Sequence, residues 1–477
     1  MEYDDRLYIS GMQKKPNEID EILADFAAKM AKVKDNFLGY QTNQQVYFPE
    51  SLFYFLTLNL LNLGDSFEQG SYQINTKEFE RAVIHYYARL CGFCNDESQR
   101  QYWGYITAMG STEGNLFALW NARDFLLGRA GQNYSAITQT NKEPVVICSA
   151  ATHYSIYKCC QILNLHAFND IGPQLGKCPI NDGDWSMPIA VDCYGSVDET
   201  ALYDLVCFFA QRDIPIILIF NHGTTFSGGS DPVYRIIEQI KPILGINESD
   251  HRRYWIHVDG ALGANFSAYL NQDDPFIYTN DPYEFRHPEV MSLCLSPYKW
   301  LGAPWTCGAY LMQERYKAGS CVRPDYVAGR DSTVAGSRQG IYALYLWERL
   351  VQLGTVGLKA IATDNEAKTQ YLETKLNELA KKSAEFIVMP RQRGANIVRF
   401  YCPDEAIRER FSLAQEKEFI DGKSVYLSHV VVLSHVTYAM LDELIAVLSD
   451  AMDHRETQPQ LVIVPRAQRV ISWGRPY

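Results

Sequence analysis

The order along this chain lies in a switch between two hydrophobic rhythms. From about residue 100 to 312, unbroken apolar runs at 145–148, 189–191, 214–220, 255–258 and 291–295 read as buried strands. Between them, segments at 113–127, 154–164, 198–211 and 231–243 repeat apolar residues every three or four positions and read as helices. Such alternation predicts an α/β fold, a largely parallel sheet flanked by helices on both faces. A further apolar run follows at 307–312. Upstream, Ile19, Ile22, Leu23, Phe26, Met30 and Val33 mark one face of an amphipathic helix over 17–38, and 77–91 resumes a helical pattern. The stretch between, 39–72, is rich in Tyr, Phe, Asn and Gln, a composition suited to a pocket or a subunit contact. Downstream, 340–385 is helical with a break expected at Gly354 and Gly357; strands are expected at 397–400 and 430–433, and a helix at 438–452. The expected organisation is an N-terminal helical and aromatic segment (1–76), a large domain (77–335), a smaller α+β C-terminal domain (336–454) and a tail without periodicity (455–477).

Composition narrows this picture. With 47% hydrophobic and 21% charged residues over 477 positions, the chain can bury more than one core. A formal charge of -12 with no basic run disfavours nucleic acid or an anionic membrane as partner. The apolar stretch 52–63 is interrupted by Thr57, Asn59 and Asn62, and is short of the roughly 20 residues a membrane span requires. The acidic start, Met-Glu-Tyr-Asp-Asp, has no apolar signal core, and the 12 cysteines are scattered. Cys91–Cys94 lacks the second matched pair of a zinc ribbon, so no metal site is expected. Reduced thiols fit the cytoplasm.

The polar residues that interrupt the apolar rhythm fall after the strands: His153, the run Asn221-His222-Gly223-Thr224-Thr225, Asp259 and Lys299. In parallel sheets ligands gather beyond the carboxyl ends of strands. Lys299 reads as a turn residue between two core strands, flanked by Tyr298 and Trp300. Desolvation there pushes its amine towards the neutral, nucleophilic form that makes a Schiff base with a carbonyl. Gly110-Ser111-Thr112-Glu113 precedes a helix whose expected inward face is Leu116, Leu119, Trp120 and Leu127. Glycine, hydroxyls and the free N–H groups of a helix start suit a phosphate. By itself that pattern is an ordinary helix cap. Asp259, followed by small residues including Ala261, can pair with a protonated ring nitrogen while a flat ring lies over the alanine; His153 can stack on the other face. Phosphate cradle, ring-nitrogen carboxylate, stacking imidazole and Schiff-base lysine together describe pyridoxal 5′-phosphate.

On these motifs the chain resembles the pyridoxal-phosphate-dependent amino-acid decarboxylases of fold type I, in the branch with histidine and serine decarboxylases. The matching stretches are Gly104–Thr107 with Gly110–Asn115, Thr152–Ser155, Asn221–Thr225, His257–Leu262, and Arg330–Thr333 with Gly336–Arg338, over residues 40 to 350. The resemblance implies decarboxylation of an L-amino acid to an amine and carbon dioxide, with Lys299, His153, Asp259 and Tyr326 catalytic. Gly110, Ser111, Thr112, Thr224, Ala261, Ser296 and Tyr298 would join Lys299, His153 and Asp259 around the cofactor. The family's loop tyrosine, which delivers the proton, corresponds to Tyr326 in Asp325-Tyr326-Val327, on a segment read as mobile. Family members are homodimers with the active site at the subunit interface, so the aromatic N-terminal segment is expected to reach a partner. Two departures set the chain apart: Tyr298 stands where the family has histidine before the lysine, and Gln339-Gly340-Ile341 replaces Asn-Gly-His where the branch shapes its substrate pocket. A closely related alternative is a decarboxylating aldehyde synthase, which aldehyde and peroxide among the products would reveal. An aminotransferase would need a keto-acid co-substrate, and a catalytically dead scaffold would have no use for the lysine.

Overall fold

The computed structural model describes residues 5–9, 11, 13–94, 100–129, 142–245, 253–271, 274–277, 281–317, 322–420 and 423–455. Of the expected tail, 456–477 lies outside the described residues. In chain order the strands are β1 (Leu61–Leu63), β2 (Tyr102–Thr107), β3 (Val145–Ile147), β4 (His166–Ala167), β5 (Ile216–Asn221), β6 (Tyr254–Asp259), β7 (Ser292–Leu295), β8 (Gly308–Gln313), β9 (Ser337–Gln339), β10 (Ile397–Tyr401), β11 (Gln415–Ile420) and β12 (Lys423–Val431).

Seven of these make the central sheet, in the order β2-β8-β7-β6-β5-β3-β4. From β4 to β7 every pairing is parallel, whereas β8 runs antiparallel to both β7 and β2. Every residue of β2, β5 and β6 is buried, because helices cover both faces and leave no face for polar residues. The fold is therefore the fold type I arrangement, with a mixed sheet that is mostly parallel. Two expectations change. β2 was not foreseen as a strand; it pairs along its whole length with β8. Residues 189–191 do not form a strand: Ile189 makes one bridge to Ser149 and Val191 one to Val197, because the turn at Asp192–Gly195 ends the pairing.

The helices fall close to their expected places: Ser111–Leu126, Ser155–Leu163, Glu199–Ala210 and Val233–Leu244 alternate with the parallel strands. The inward face of Ser111–Leu126 is corrected in part. Leu119 is buried as expected, together with Gly114, Asn115, Ala118, Ala122 and Phe125, while Leu116, Trp120 and Leu127 are only partly covered. Small residues let this helix lie close on the sheet, where a Cβ at Gly114 would come within 2.5 Å of the Cys294 Cβ.

Buried apolar residues form two clusters. The larger surrounds the central sheet and continues into the long helix Ile341–Ala380 as far as Ala362. The smaller takes Leu372, Leu376 and Leu379 from the same helix, together with β10, β12 and the helix Tyr438–Arg455. The helix breaks at Gly354, whose φ of 57° is left-handed. β10, β12 and β11 make a small antiparallel sheet; β11 was not foreseen, since its sequence Gln-Glu-Lys-Glu alternates too little apolar character. β12 reaches Val431, so the strand expected at 430–433 starts earlier and ends sooner.

The N-terminal segment bridges the two clusters. Leu38 packs in the smaller one, its N–H donating to Phe411 O while its carbonyl accepts from Val431. A few residues on, the Asn43 N–H donates to Lys299 O and the Asn43 amide to Trp300 O at 2.8 Å. The helix before it, Pro16–Lys34, buries none of its residues.

Candidate active site

β3, β5, β6 and β7 are neighbours, so their carboxyl ends lie side by side across roughly 14 Å at the usual strand spacing. Each end delivers polar groups into one cavity of about 270 Å³: His153 after β3, Thr224 after β5, Asp259 and Ala261 at β6, and Ser296, Tyr298 and Lys299 after β7. Gly110, Ser111 and Thr112 close it from the start of the helix Ser111–Leu126. All ten residues expected to surround a cofactor thus line the same space. A larger cleft of about 860 Å³ lies on the other side of Gly223 and contains none of the ten.

Local hydrogen bonding explains how the loops hold their shape. Glu113 accepts from the Ala108 and Met109 N–H groups at 2.7 and 3.0 Å, bending the chain into Gly110. Gly110 itself takes φ 60°, ψ -152°, which only glycine adopts readily. The Ser296 Oγ accepts from the Ser111 N–H at 3.0 Å and lies 2.7 Å from the Ser111 hydroxyl. Asp231 accepts from the Asn221 and Val197 N–H groups, and the Asn221 amide reaches back to Thr152 at 3.0 Å. The end of β5 is thereby tied to the loop that carries His153. Burial raises the Asp231 carboxyl to about 6, against these hydrogen bonds.

Lys299 is not in an open turn: it stands in a short helix, Pro297–Leu301, that ends at Gly302 with φ 74°. Proline at the helix start and the left-handed glycine after its end bracket a single turn, so Lys299 has a fixed direction. Burial pushes its ammonium below the usual lysine range, with the Asp259 charge opposing. His153 is pushed down for the same reason, again against Asp259, and its Nδ1 lies 2.8 Å from the Ser155 Oγ. Asp259 accepts from the Asn115 amide at 2.8 Å and from the Ala261 N–H at 3.1 Å.

The residues fit pyridoxal phosphate. Among the lining residues Lys299 is the one ammonium and Asp259 the one carboxylate, while hydroxyls and first-turn N–H groups gather at Ser111, Thr112 and Ser296. Asn115, which holds Asp259, is one helical turn beyond Ser111, about 6 Å along the axis. Phosphate donors and carboxylate are therefore set apart as the two ends of that cofactor require. A Cβ at Gly110 would press on the Tyr298 ring at 3.2 Å and on Ser296 Oγ at 3.4 Å, narrowing the cradle.

Two expectations are not brought into this cavity. Tyr326 is 80% exposed and absent from the lining. Its segment is anchored: Ser71 donates from its Oγ to Tyr326 O and from its N–H to Val327 O, and Glu68 pairs with Arg330 at 2.9 Å. Gln339 and Gly340 also lie elsewhere, since β9 pairs with β1 and Arg338 is buried against Glu80. In the other direction, the sequence reading passed over Tyr40, Gln41, Thr42 and Asn115, all in the lining. The aromatic and amide richness of 39–72 was the signal for the first three. Asn115 was visible only as the last residue of the glycine-rich motif.

Fold and site together define a pyridoxal-phosphate enzyme of fold type I. The pyridoxal-dependent decarboxylase conserved domain matches residues 67–402, and the chain belongs to that family, as a pyridoxal-phosphate-dependent amino-acid decarboxylase. It is similar to serine decarboxylase 2 of Oryza sativa subsp. japonica, 27% identical over 92% of this chain and 79% of that one. Histidine decarboxylase of Vibrio anguillarum is 27% identical over 85% of this chain and 90% of its own. Among solved structures, L-methionine decarboxylase from Streptomyces sp. 590 superposes with a TM-score of 0.83 at 29% identity, covering 94% of this chain and 98% of that one.

Proposed function

We propose that this decarboxylase is a cytoplasmic homodimer acting on an L-amino acid with an uncharged side chain. The observation that carries the reading is the convergence of Lys299, Asp259 and His153, from three strand ends of one sheet, on one cavity. When bound, pyridoxal phosphate supplies a conjugated cationic ring that accepts the electron pair left behind as carbon dioxide departs. Lys299, whose ammonium is pushed by burial below the usual lysine range, would carry the cofactor and yield it to the incoming amine. Asp259 would hold a proton on the ring nitrogen by placing a carboxylate beside the positive charge. His153 and Ala261 would pack against the ring. Gly110, Ser111, Thr112, Thr224, Ser296 and Tyr298 would hold the phosphate end, the Tyr298 phenol standing in for the family's histidine.

The cavity wall away from these groups is Tyr40, Met109, Tyr154 and Leu262, with no guanidinium and no second carboxylate to pair a charged side chain. That supports methionine-, histidine- or serine-like substrates over acidic or basic ones. The exposed surface supports the dimer. On the helix Pro16–Lys34, Leu23 is 60% and Phe26 58% exposed, and Phe53, Tyr54 and Leu56 are exposed as well. A second copy would cover this apolar surface and offer Tyr326 to the neighbouring cavity as proton donor. The described cysteines are all free thiols, which suits a reducing compartment, and among the described residues no helix is long and apolar enough to cross a membrane.

The test is carbon dioxide release by the purified, cofactor-loaded protein from each common amino acid. Release confined to uncharged side chains is the expected result. Turnover of glutamate, aspartate, lysine or arginine at a comparable rate would overturn the substrate reading.

A further inference from the structure

Behind Asp259 the buried polar side chains form a connected series from Trp255 to the carboxylate. The Trp255 indole N–H, a donor only, lies 3.0 Å from the Ser292 Oγ. Ser292 lies 2.9 Å from His257 Nδ1, and His257 Nε2 lies 2.9 Å from Asn115 Oδ1. The Asn115 Nδ2 then donates to Asp259 at 2.8 Å. Since the carboxylate must receive the Asn115 N–H, the amide oxygen faces His257, so His257 carries its proton on Nε2. Its Nδ1 then accepts from the Ser292 hydroxyl, which in turn accepts from Trp255. The Cys294 thiol, 3.1 Å from Asn115 Oδ1, is a second donor to the same oxygen and agrees with this orientation. Asn115, His257 and Ser292 are at most 1% exposed, so water does not compete for these bonds. Burial pushes the His257 imidazole down to about 4, with Asp259 opposing, which leaves the ring neutral and the series uncharged up to the carboxylate.

The branch at Asn115 matters as much as the series. Its second amide hydrogen points to the Ser155 Oγ at 3.2 Å, and Ser155 lies 2.8 Å from His153 Nδ1. One amide thus touches the carboxylate and, through one hydroxyl, the imidazole that share the cavity. The close approach at Gly114 is what lets Asn115 reach β6.

We propose that Asn115, His257 and Ser292 are positioning residues: a one-way hydrogen-bond chain that fixes the plane of the Asp259 carboxylate and ties it to the orientation of His153. The proposal rests on Asp259 facing the cofactor's ring nitrogen. Chains of aligned hydrogen bonds polarise one another, so loss of a remote member is felt at the carboxylate.

The test reconstitutes the full chain with ring-nitrogen-labelled pyridoxal phosphate and reads the nitrogen's NMR shift, kcat and KM, beside thermal unfolding of the apoprotein. For Asn115→Leu and His257→Phe the expected result is a kcat lower by about tenfold, KM within about twofold, and a ring-nitrogen signal moved towards the unprotonated position, a donor one step removed from the reacting charge costing less than the roughly hundredfold of one that touches it. His257→Gln, which keeps an N–H near the Nε2 position, should recover most of both. Ser292→Ala, small enough to fold if the larger changes do not, should shift the signal in the same direction by less. An unmoved ring-nitrogen signal and parental kcat per bound cofactor in Ser292→Ala and His257→Phe, with only the unfolding temperature lowered, would reduce the chain to packing. If Asp259→Asn itself kept parental turnover, the underlying assignment would fail instead, and the two failures are thereby distinguishable.

Discussion

The cavity and the exposed surface of this molecule are built on opposite terms. On the cavity floor, Asp259, His153 and Ser296 each have hydrogen-bond partners within the same chain, and Lys299 is aimed by a capped turn. Away from the cavity, Tyr326 is 80% exposed and the helix Pro16–Lys34 has no buried residue. The segment that carries Tyr326 is still anchored: Asp65 donates its N–H to Arg330 O, and its carboxylate pairs with Lys317 and Ser332. What differs is completion. One chain finishes the part that handles the cofactor's charge, and leaves apolar surface and a phenol exposed. On the proposed reading, proton delivery therefore belongs to an assembly rather than to a chain.

The sharpest break of the floor is Lys299→Ala. It should abolish turnover and the absorbance of the lysine-linked cofactor, and borohydride should then trap no cofactor on any peptide. Adduct on a peptide containing another lysine would move the assignment elsewhere. Asp259→Asn comes next: kcat should fall by at least about a hundredfold, the lower end for an electrostatic catalytic group, with cofactor still bound. Turnover within a few-fold of the parent would remove Asp259 from the ring nitrogen.

On the exposed surface, Tyr326→Phe should slow amine formation by up to about a hundredfold, the low end for a general acid, while carbon dioxide release continues and aldehyde appears in air. Mixing Lys299→Ala chains with Tyr326→Phe chains then decides where the phenol works. If Tyr326 acts across the dimer, the mixed dimer has one intact site and regains amine synthesis. No recovery in proven mixed dimers would place its action in its own subunit or nowhere.

The smallest effect concerns the anchor of the segment that carries Tyr326. Burial would raise the Asp65 carboxyl, but the Lys317 charge and the hydrogen bonds from Lys317 and Ser332 outweigh it and hold it at about 2, below its usual 3.8. A depressed acid stabilises the fold above its unfolded pKa and loses that contribution as pH falls through the folded one. Asp65→Asn should therefore cost at least about 2 kcal/mol at neutral pH by urea unfolding, and the gap to the parent should close between about pH 4 and 2. A gap constant with pH would mean that Asp65 contributes shape alone.

Much of the floor was legible from sequence because its signals are local. An apolar run followed by a polar residue marks a strand end, and the proline before Lys299 and glycine after it mark a capped turn. The period-two geometry of β6 also puts His257 and Asp259 on one face, so their partnership through Asn115 was open to inspection. By contrast, the antiparallel insertion of β8 between β7 and β2 depends on pairing across some 200 residues, for which β2 carries no local mark.

The sequence by itself determined the α/β alternation and the kind of cofactor, and it named ten residues, some by side-chain chemistry and the rest by family resemblance, that line one cavity in the structure. Only the tertiary structure decided that Tyr40, Gln41 and Thr42 join them, because the chain must first dock Leu38 on the small sheet and Asn43 on the Lys299 turn. It also decided which face of the helix Ser111–Leu126 turns inward. Counting leucines favours Leu116 and Trp120, but close packing at Gly114 against Cys294 selects Asn115, because a helix that approaches a sheet this closely has room only for small side chains at the contact. And it left the amphipathic face of Pro16–Lys34 in solvent, a result periodicity cannot foresee, since an apolar stripe specifies that something will cover it and not whether that cover is its own chain.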